Sequence, residues 1–186
     1  MNIFTHVQRR SLAHIVRFSA YAQNFPESVA EHSFFVAYIT AVLCQLLKTK
    51  KVTIDSEKAI TMALVHDMEE MFSGDILGPF KHHSPEVALA IRRVNERLIG
   101  EVFAGLPNRL VSHFVSLWNE EGKQKAIEAQ VVKLADRLSL IAKCSEEIKG
   151  GNQFFKPIYA TELASLKKYN KPWWKKIKNE VFGRVF

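Results

Sequence analysis

The 186-residue sequence predicts an all-α protein built as a single domain. Three observations support this fold class. Apolar residues recur at helical spacing along most of the chain, capping residues precede the apolar segments, and no segment alternates apolar and polar residues as a half-buried strand does. The composition, with 47% hydrophobic and 24% charged residues, is typical of a globular domain.

Three helices are predicted in the N-terminal part of the chain. Residues 5–21 have helical periodicity and predict the first. Ser28 and Glu31 form the Ser-x-x-Glu capping box that opens a second helix, which reaches about residue 48. Asp55 is an N-cap residue before a third helix over residues 57–71.

Glycine and proline divide the remaining chain. The loop around Gly74, Gly78 and Pro79 ends where Ser84 and Pro85 supply the chemistry of a helix start. One helix is expected from Pro85 to a break at Gly105. Two more are expected over residues 107–120 and 125–149. Two short helices, separated by residues 170–172, are expected after Pro157.

A His-Asp pair lies inside an apolar segment of the third predicted helix. His66 and Asp67 follow the apolar run 62–65, and Glu70 lies on the same arc of the helix one turn later. Burying a carboxylate is costly unless its charge is compensated, and a bound cation compensates it. The pattern therefore predicts half of a metal site.

Two other residues are candidates for the second half of that site. His32 lies near the start of the second helix and Asp136 lies in the middle of the helix over residues 125–149, both among apolar neighbours. Two histidines and two aspartates suit a divalent transition metal with positions open for water. The alternatives are a core histidine at His32 and an ion pair of Asp136 with Lys133 or Arg137, although these neighbours are expected to point away from it.

These residues resemble the H…HD…D motif of the HD-domain phosphohydrolases. The similarity extends over residues 26–33, 66–75 and 133–136, where the chain resembles the branch that contains the bacterial 5′-deoxynucleotidases and the small phage-type deoxynucleoside triphosphate hydrolases. The resemblance implies one HD domain over residues 1–186, with a metal core over about residues 5–155 and a C-terminal helical extension over about residues 157–186. It also implies one divalent ion, cobalt, manganese or zinc, whose ligands are His32, His66, Asp67 and Asp136.

The resemblance also assigns roles beyond the metal. Glu70 and Asp75 are the expected catalytic acids, with the division into base and acid left open between them. Arg17 lies fifteen positions before His32, where the branch keeps an arginine that binds phosphate.

Three further residues are expected to bind substrate. Phe18 stands where the deoxynucleotidase pattern has a tryptophan beside the sugar, a departure that bears on selectivity for deoxyribose. Pro79 and Lys81 lie in the expected active-site loop, although Lys81 suits a surface cation equally well.

The predicted activity is metal-dependent release of phosphate from ribonucleoside or 2′-deoxyribonucleoside 5′-monophosphates. The alternative on the same site is a triphosphohydrolase that converts a deoxynucleoside triphosphate such as dATP into deoxynucleoside and triphosphate. A second alternative is a nucleic-acid- or membrane-binding protein. It rests on the net charge of +7 and on the lysines of residues 167–178 around Trp173 and Trp174, and it leaves the His-Asp pair unexplained.

The expected partners are a nucleotide and further copies of the chain, but neither nucleic acid nor a membrane. Cys44 and Cys144 lie in apolar helical patterns and are expected to be buried free thiols of a reducing compartment. No segment is expected to approach the length of a membrane-spanning helix. We therefore expect a cytoplasmic homo-oligomer.

Overall fold

A computed structural model describes residues 2–183 and confirms the all-α fold class. Residues 2–183 contain no strand, only two isolated bridges, and 72% of them are helical. The α-helices are α1 (Ile3–Val7), α2 (Val29–Thr49), α3 (Ser56–Val65), α4 (Glu70–Ser73), α5 (Gly78–Lys81), α6 (Pro85–Val102), α7 (Asn108–Lys123), α8 (Ile127–Lys149), α9 (Lys156–Lys167) and α10 (Pro172–Phe182).

Helices α2, α3 and α8 form the centre of the fold and pack on one another. The predicted capping box is confirmed, because the Ser28 hydroxyl accepts a hydrogen bond from the backbone N–H of Glu31 while the Glu31 carboxylate accepts one from the backbone N–H of Ser28. The Asp55 side chain likewise caps α3 by accepting from the backbone N–H of Lys58. The two strongest N-cap signals of the sequence thus set the starts of two central helices.

The predicted helix over residues 5–21 is wrong beyond its first turn. The chain forms α1, then a 3₁₀ turn over Ser11–Ala13, and then runs as irregular structure to Ser28. The Arg17 backbone N–H donates to the Glu27 carbonyl, and the Val29 N–H donates to the Ile15 carbonyl. Because these backbone groups pair with the segment that leads into α2, they are not available for helical hydrogen bonds.

The third predicted helix ends earlier than expected. Helix α3 stops at Val65, and turns separate it from α4, which begins at Glu70. Gly74, with φ of 66°, then ends α4 in a backbone conformation that favours glycine. His66 and Asp67 therefore lie in turns just beyond a helix, not within it.

The C-terminal helices pack against the centre of the fold. Helix α9 contacts α8, and α10 contacts α2. Trp173, Trp174 and Ile177 of α10 are buried in the same apolar core as α2 and α3. The binding alternative required exposed tryptophans beside the lysines, so the burial of both rings removes its aromatic part.

Helix α2 corrects one sequence expectation. By length and apolar composition it passes as a membrane-spanning helix, contrary to the expectation that no segment approaches that length. Core helices of globular proteins pass the same test, so this is weak evidence for a membrane span, and α2 packs on α3 and α8. Both cysteines are buried free thiols, as predicted.

Candidate metal and phosphate-binding site

Four predicted ligand residues converge between the central helices. His32 projects from α2, His66 and Asp67 follow α3, and Asp136 lies on α8. The Nε2 atom of His32 lies 3.2 Å from Oδ1 of Asp136 and 3.7 Å from Oδ2 of Asp67, and Nε2 of His66 lies 3.1 Å from that same Asp67 oxygen. Potential ligand atoms of His32, His66 and Asp67 all lie within 4.8 Å of one another.

Both histidines turn Nε2 toward this cluster. Nδ1 of His66 lies 2.8 Å from the Ala63 carbonyl oxygen, so it carries a proton and donates; in the neutral imidazole, the form that binds a metal, the Nε2 lone pair then faces the carboxylates. Nδ1 of His32 lies 3.2 Å from the Ser139 hydroxyl oxygen. Both Nε2 atoms are buried without a hydrogen bond of good geometry to any described residue. Two buried nitrogens aimed at two carboxylates fit a divalent cation.

The charges of the cluster are arranged as a cation would require. Burial alone would raise the pKa of Asp67 and Asp136, but neighbouring positive groups, His66 and Lys133 foremost, hold both pKa values well below their usual range. Burial lowers the pKa of His66, but the negative charges of Asp67 and Asp136 outweigh this effect and raise the pKa to about 10. The carboxylates thus draw protons onto the imidazole, the position that a metal ion would take.

The second oxygen of Asp136 is paired with Lys133, contrary to the expectation from the sequence. The Lys133 ammonium donates to Oδ2 of Asp136 at 2.8 Å. The expectation that Lys133 points away was wrong, because residues three apart on a helix share a face. Arg137 does turn away, to Glu162 at 3.1 Å. Asp136 therefore faces His32 with one oxygen and Lys133 with the other.

The two predicted catalytic acids differ in their surroundings. Glu70 is 7% exposed, and its Oε2 has no hydrogen-bond partner among the described residues. Its burial, followed by the charges of Asp67 and Asp75, raises its pKa to about 9. Oδ2 of Asp75, in contrast, accepts the backbone N–H of Phe18 at 2.8 Å. This bond holds Phe18 at φ of 55°, a left-handed conformation that bulky residues rarely adopt.

Arg17 lies beside the cluster of predicted metal ligands, with most of its side chain buried. One of its guanidinium nitrogens lies 2.7 Å from the Glu27 carboxylate and 2.8 Å from Nδ1 of His32. Burial would lower the pKa of Arg17, but Asp67, Asp136 and Glu27 raise it. The guanidinium also lies over the Phe18 ring, 5.2 Å from its centroid. Arg17 is thus a permanent charge held at the edge of the site.

A cleft of about 500 Å³ opens onto this arrangement. His32 and His66 lie buried behind the wall of this cleft. The other eight of the ten predicted site residues line it: Arg17, Phe18, Asp67, Glu70, Asp75, Pro79, Lys81 and Asp136. Its volume lies in the range of small-molecule sites. The structure therefore brings together residues that are up to 119 positions apart in the chain, between Arg17 and Asp136.

Two residues near the site, Glu27 and Glu69, were missed by sequence reasoning, whereas Lys133 was considered but expected to point away from Asp136. The i, i+3 spacing of Lys133 and Asp136 was a usable signal, whereas the Arg17–Glu27 pair spans ten positions of irregular chain and has no local pattern. Glu69 is 8% exposed, and its carboxylate accepts the Trp118 Nε1–H at 2.7 Å. Its burial and the Asp67 charge raise its pKa to about 7.

Comparison with known proteins identifies the same architecture. A structure of an HD-domain phosphohydrolase from Listeria innocua superposes with a TM-score of 0.83 at 25% identity, covering 100% of this chain and 88% of that one. A cyanophage S-2L HD phosphohydrolase, solved with dA and one catalytic Zn²⁺ ion, shares the fold with a TM-score of 0.68 at 16% identity, covering 97% and 94% of the two chains.

Sequence relatives narrow the family. A 5′-deoxynucleotidase of Vibrio parahaemolyticus is 30% identical over 156 residues, which are 83% of this chain and 78% of the relative. The family model described as YfbR-like 5′-deoxynucleotidase matches residues 2–182, nearly the whole chain. The chain therefore belongs to the family of YfbR-like 5′-deoxynucleotidases.

Proposed function

We propose that this protein is a metal-dependent phosphohydrolase that releases phosphate from nucleoside 5′-monophosphates, 2′-deoxynucleotides among them. The observation that carries the proposal is the pair of buried, unpartnered Nε2 atoms of His32 and His66, which face two carboxylates at the floor of a cleft whose rim holds Arg17. Family membership supports the monophosphate over the triphosphate alternative.

The proposed metal ligands are His32, His66, Asp67 and Asp136. A divalent ion held by them supplies Lewis acidity, which offsets charge on phosphate oxygens and makes a water molecule more acidic. Two imidazoles and two carboxylates suit cobalt, manganese or zinc alike, so the physiological ion is a matter for metal analysis. Ser139 supports His32 in this role, because its hydroxyl can accept the Nδ1–H that leaves Nε2 free.

Arg17 is the proposed phosphate-binding residue. An imidazole whose Nε2 binds a metal carries its proton on Nδ1, and a guanidinium N–H cannot donate to a protonated nitrogen. The 2.8 Å contact between Arg17 and His32 would therefore be lost with a metal on Nε2, and a substrate phosphate in the cleft would give the guanidinium a new partner. Glu27 keeps Arg17 near the site, and Lys81 adds a second positive charge to the cleft wall.

Glu70 is the proposed proton carrier. It lies in the cleft with a free oxygen, and its raised pKa makes it protonated at neutral pH in the absence of a cation. A cation bound to the neighbouring ligands would favour the carboxylate and lower this pKa, and a carboxyl group with a pKa nearer the working pH transfers protons more efficiently. Asp75 is the second proposed catalytic acid, and its carboxylate also holds the Phe18 backbone, and so the ring that we expect beside the sugar, next to Pro79.

The experiment that tests this proposal is product analysis of the metal-loaded protein with dAMP and dATP. We expect deoxyadenosine and inorganic phosphate from dAMP, with dATP unchanged. Release of intact triphosphate from dATP would instead establish the triphosphohydrolase. If neither nucleotide, nor those of other bases, were hydrolysed with cobalt, manganese or zinc, the proposal would be wrong.

The ligand assignment needs a readout separate from activity. Asp136→Asn removes one carboxylate charge while keeping the side-chain size, so we expect metal content by elemental analysis to fall together with turnover. Arg137→Gln is the matched control, because Arg137 lies next to Asp136 but pairs with Glu162. Full metal content in Asp136→Asn would remove that residue from the ligand set.

Localisation and assembly complete the proposal. We infer a cytoplasmic enzyme, since nucleoside monophosphates are found there and both cysteines are free thiols, as in reducing compartments. We further infer that the protein self-associates, because α2 exposes large apolar side chains such as Phe34 and Tyr38.

A further inference from the structure

Nearly all of the net positive charge of the chain lies in its C-terminal part. Residues 163–179 contain six lysines and no acidic residue, so they contribute +6 of the net charge of +7: Lys167, Lys168, Lys171, Lys175, Lys176 and Lys178. These lysines lie at the end of α9, in the turn after it and on α10. None of them lines the proposed catalytic cleft, so the chemistry at the metal ligands leaves this charge unexplained.

Four of these lysines line one cavity of about 480 Å³ between the end of α9 and α10. The four, which define the lysine cavity, are Lys167, Lys168, Lys175 and Lys178. None of the described residues that line it is acidic. Within residues 2–183, the ammonium groups of Lys168, Lys175 and Lys178 form no ion pair, and Glu180, the next acidic residue along the chain, pairs with Lys50 instead. The lysine cavity is therefore positively charged without an internal counter-charge.

Aromatic residues hold the walls of the lysine cavity in place. Tyr169 and Trp174 line it with ring centroids 6.5 Å apart, and Trp173 packs edge-to-face against both, at 6.0 and 6.2 Å. The Trp173 Nε1–H donates to the side chain of Gln130 on α8 at 3.0 Å. Because these contacts fix α10 to the centre of the fold, the lysines project from an ordered framework, and less conformational freedom is lost when a ligand binds.

The positions of these lysines are electrostatically unfavourable by themselves. Lys175 and Lys178 are three positions apart, so their charges lie on one face of α10 and repel each other. Lys171 and Lys175 also flank the first turn of α10, where the helix dipole disfavours positive charge. An anion in the lysine cavity offsets both effects. The arrangement therefore fits a ligand with several negative charges.

The shape of the lysine cavity favours a compact polyanion over a nucleic acid. Its volume lies in the range of small-molecule sites. Trp173 and Trp174 are 6% and 2% exposed, so their faces are not available for the base stacking on which proteins that bind single strands rely. A linear triphosphate carries several negative charges within the span of such a cavity, and ammonium groups bind phosphate oxygens as point charges.

Helix α9 connects the lysine cavity with the catalytic cleft. Ile158, Glu162 and Ser165 of α9 line the cleft. Leu166 and Lys168, the first just after Ser165 and the second at the end of the same helix, line the lysine cavity. A ligand that draws the end of α9 toward α10 therefore acts on a helix that also forms one wall of the cleft.

We propose that the lysine cavity is a regulatory site for a linear triphosphate, either free or as part of a nucleoside triphosphate, and that α9 transmits its binding to the cleft. A nucleoside triphosphate differs from the proposed substrate by two phosphoryl groups. Such a site therefore lets a more highly phosphorylated form of the nucleotide control hydrolysis of the monophosphate. The regulatory part rests on the proposed nucleotidase activity, whereas binding can be measured without turnover.

Isothermal titration calorimetry of the full-length protein with tripolyphosphate, dATP and a single-stranded oligodeoxynucleotide tests the site. We expect tripolyphosphate to bind and the double variant Lys175→Glu/Lys178→Glu to bind it at least about tenfold more weakly, because two charge-assisted contacts are lost. The matched control is Lys123→Glu/Lys125→Glu, which changes the net charge equally at exposed positions around the end of α7 and should bind as the wild type does. Circular dichroism verifies that both variants are folded.

The ligands of this titration separate the possible sources of the phosphate chain. Binding of dATP at least as tight as that of tripolyphosphate assigns the site to nucleotides, and weaker binding of dATP assigns it to the free polyphosphate. No binding of tripolyphosphate, equal binding by the two double variants, or tighter binding of the oligodeoxynucleotide than of tripolyphosphate overturns the proposal.

Steady-state kinetics with dAMP tests the connection through α9. Saturating dATP should change the KM for dAMP at least about fivefold in the wild type and in the Lys123→Glu/Lys125→Glu control, but not in Lys175→Glu/Lys178→Glu. No change in the wild type, or an equal change in all three proteins, as competition within the cleft would give, overturns the regulatory role. Binding that depends on Lys175 and Lys178 in a protein that hydrolyses no nucleotide would support the binding site and refute the proposed function instead.

Discussion

Glu147 of α8 forms a buried ion pair with Lys143 that stabilises the fold. The carboxylate is 0% exposed and accepts hydrogen bonds from the Lys143 ammonium at 2.8 Å, from the backbone N–H groups of Asn24 and Phe25 at 2.9 Å each, and from the Asn152 amide at 2.9 Å. It thereby fixes the loop before α2 to the C-terminal end of α8. We expect Glu147→Gln to destabilise the fold markedly, because a buried lysine then loses its counter-charge.

The magnitude follows from the pKa of this carboxyl group. Burial alone would raise the pKa of Glu147, but its hydrogen bonds, that of Lys143 foremost, lower it from 4.5 to about 2. A shift of this size corresponds to about 3 kcal/mol of folding free energy at neutral pH. This agrees with the range of about 3–5 kcal/mol for breaking a buried ion pair.

The change of this destabilisation with pH is a sharper test than its size at neutral pH. Since the pKa is lower in the folded than in the unfolded state, the stabilisation is fully present above the unfolded value and is lost as the pH falls through the folded value. The difference in unfolding free energy between wild type and Glu147→Gln, measured by urea unfolding, should therefore fall to less than half between pH 7 and about pH 3.

Glu146, the residue before Glu147, provides the control for this prediction. Glu146 is largely exposed and lies 3.8 Å from the same Lys143 ammonium, so Glu146→Gln should change the unfolding free energy by about 0.5 kcal/mol or less. Equal effects of the two substitutions, or a Glu147→Gln effect that does not change with pH, would refute the assignment of the stabilisation to the buried carboxylate.

Three further predictions concern the site and its supports. Glu70→Gln cannot exchange a proton, so kcat should fall at least about a hundredfold while metal content by elemental analysis stays at the wild-type level; near-normal kcat would exclude Glu70 as proton carrier. Phe18→Trp enlarges the ring beside the sugar, so the ratio of kcat/KM for dAMP over AMP should rise about tenfold, and an unchanged ratio would mean that this ring does not contact the ribose. Trp118→Phe removes the Nε1–H that donates to the buried Glu69 carboxylate, so the free energy of unfolding, measured with urea at neutral pH, should fall by about 1–3 kcal/mol. An unchanged free energy of unfolding would mean that this hydrogen bond does not stabilise the fold.

Local patterns predicted the elements that depend on nearby residues. The capping box at Ser28 and the N-cap at Asp55 are contacts over three positions, and the structure has both. The His66-Asp67 pair and Asp136 stood out because ionisable side chains in apolar helical segments need a compensating partner. The same residues belong to the HD-domain motif, so the resemblance to that motif is recognisable in the sequence alone.

The segment before α2 shows where local patterns fail. Residues 5–21 have helical periodicity, yet the backbone around Arg17 pairs with Glu27 and Phe18 has a left-handed conformation held by Asp75. Helical propensity is worth a few tenths of a kcal/mol per residue, so hydrogen bonds to distant parts of the chain outweigh it.

The sequence alone thus determined the fold class, the starts of α2 and α3, and the identity of the residues that face one another in the site. Only the tertiary structure decided how Arg17 reaches His32, how Asp75 holds the Phe18 backbone, and that one side of α2 stays apolar and uncovered. The physical reason is distance along the chain. A cap or a helical face is formed by residues within about four positions, whereas these contacts exist only after α2, α3 and α8 have packed together.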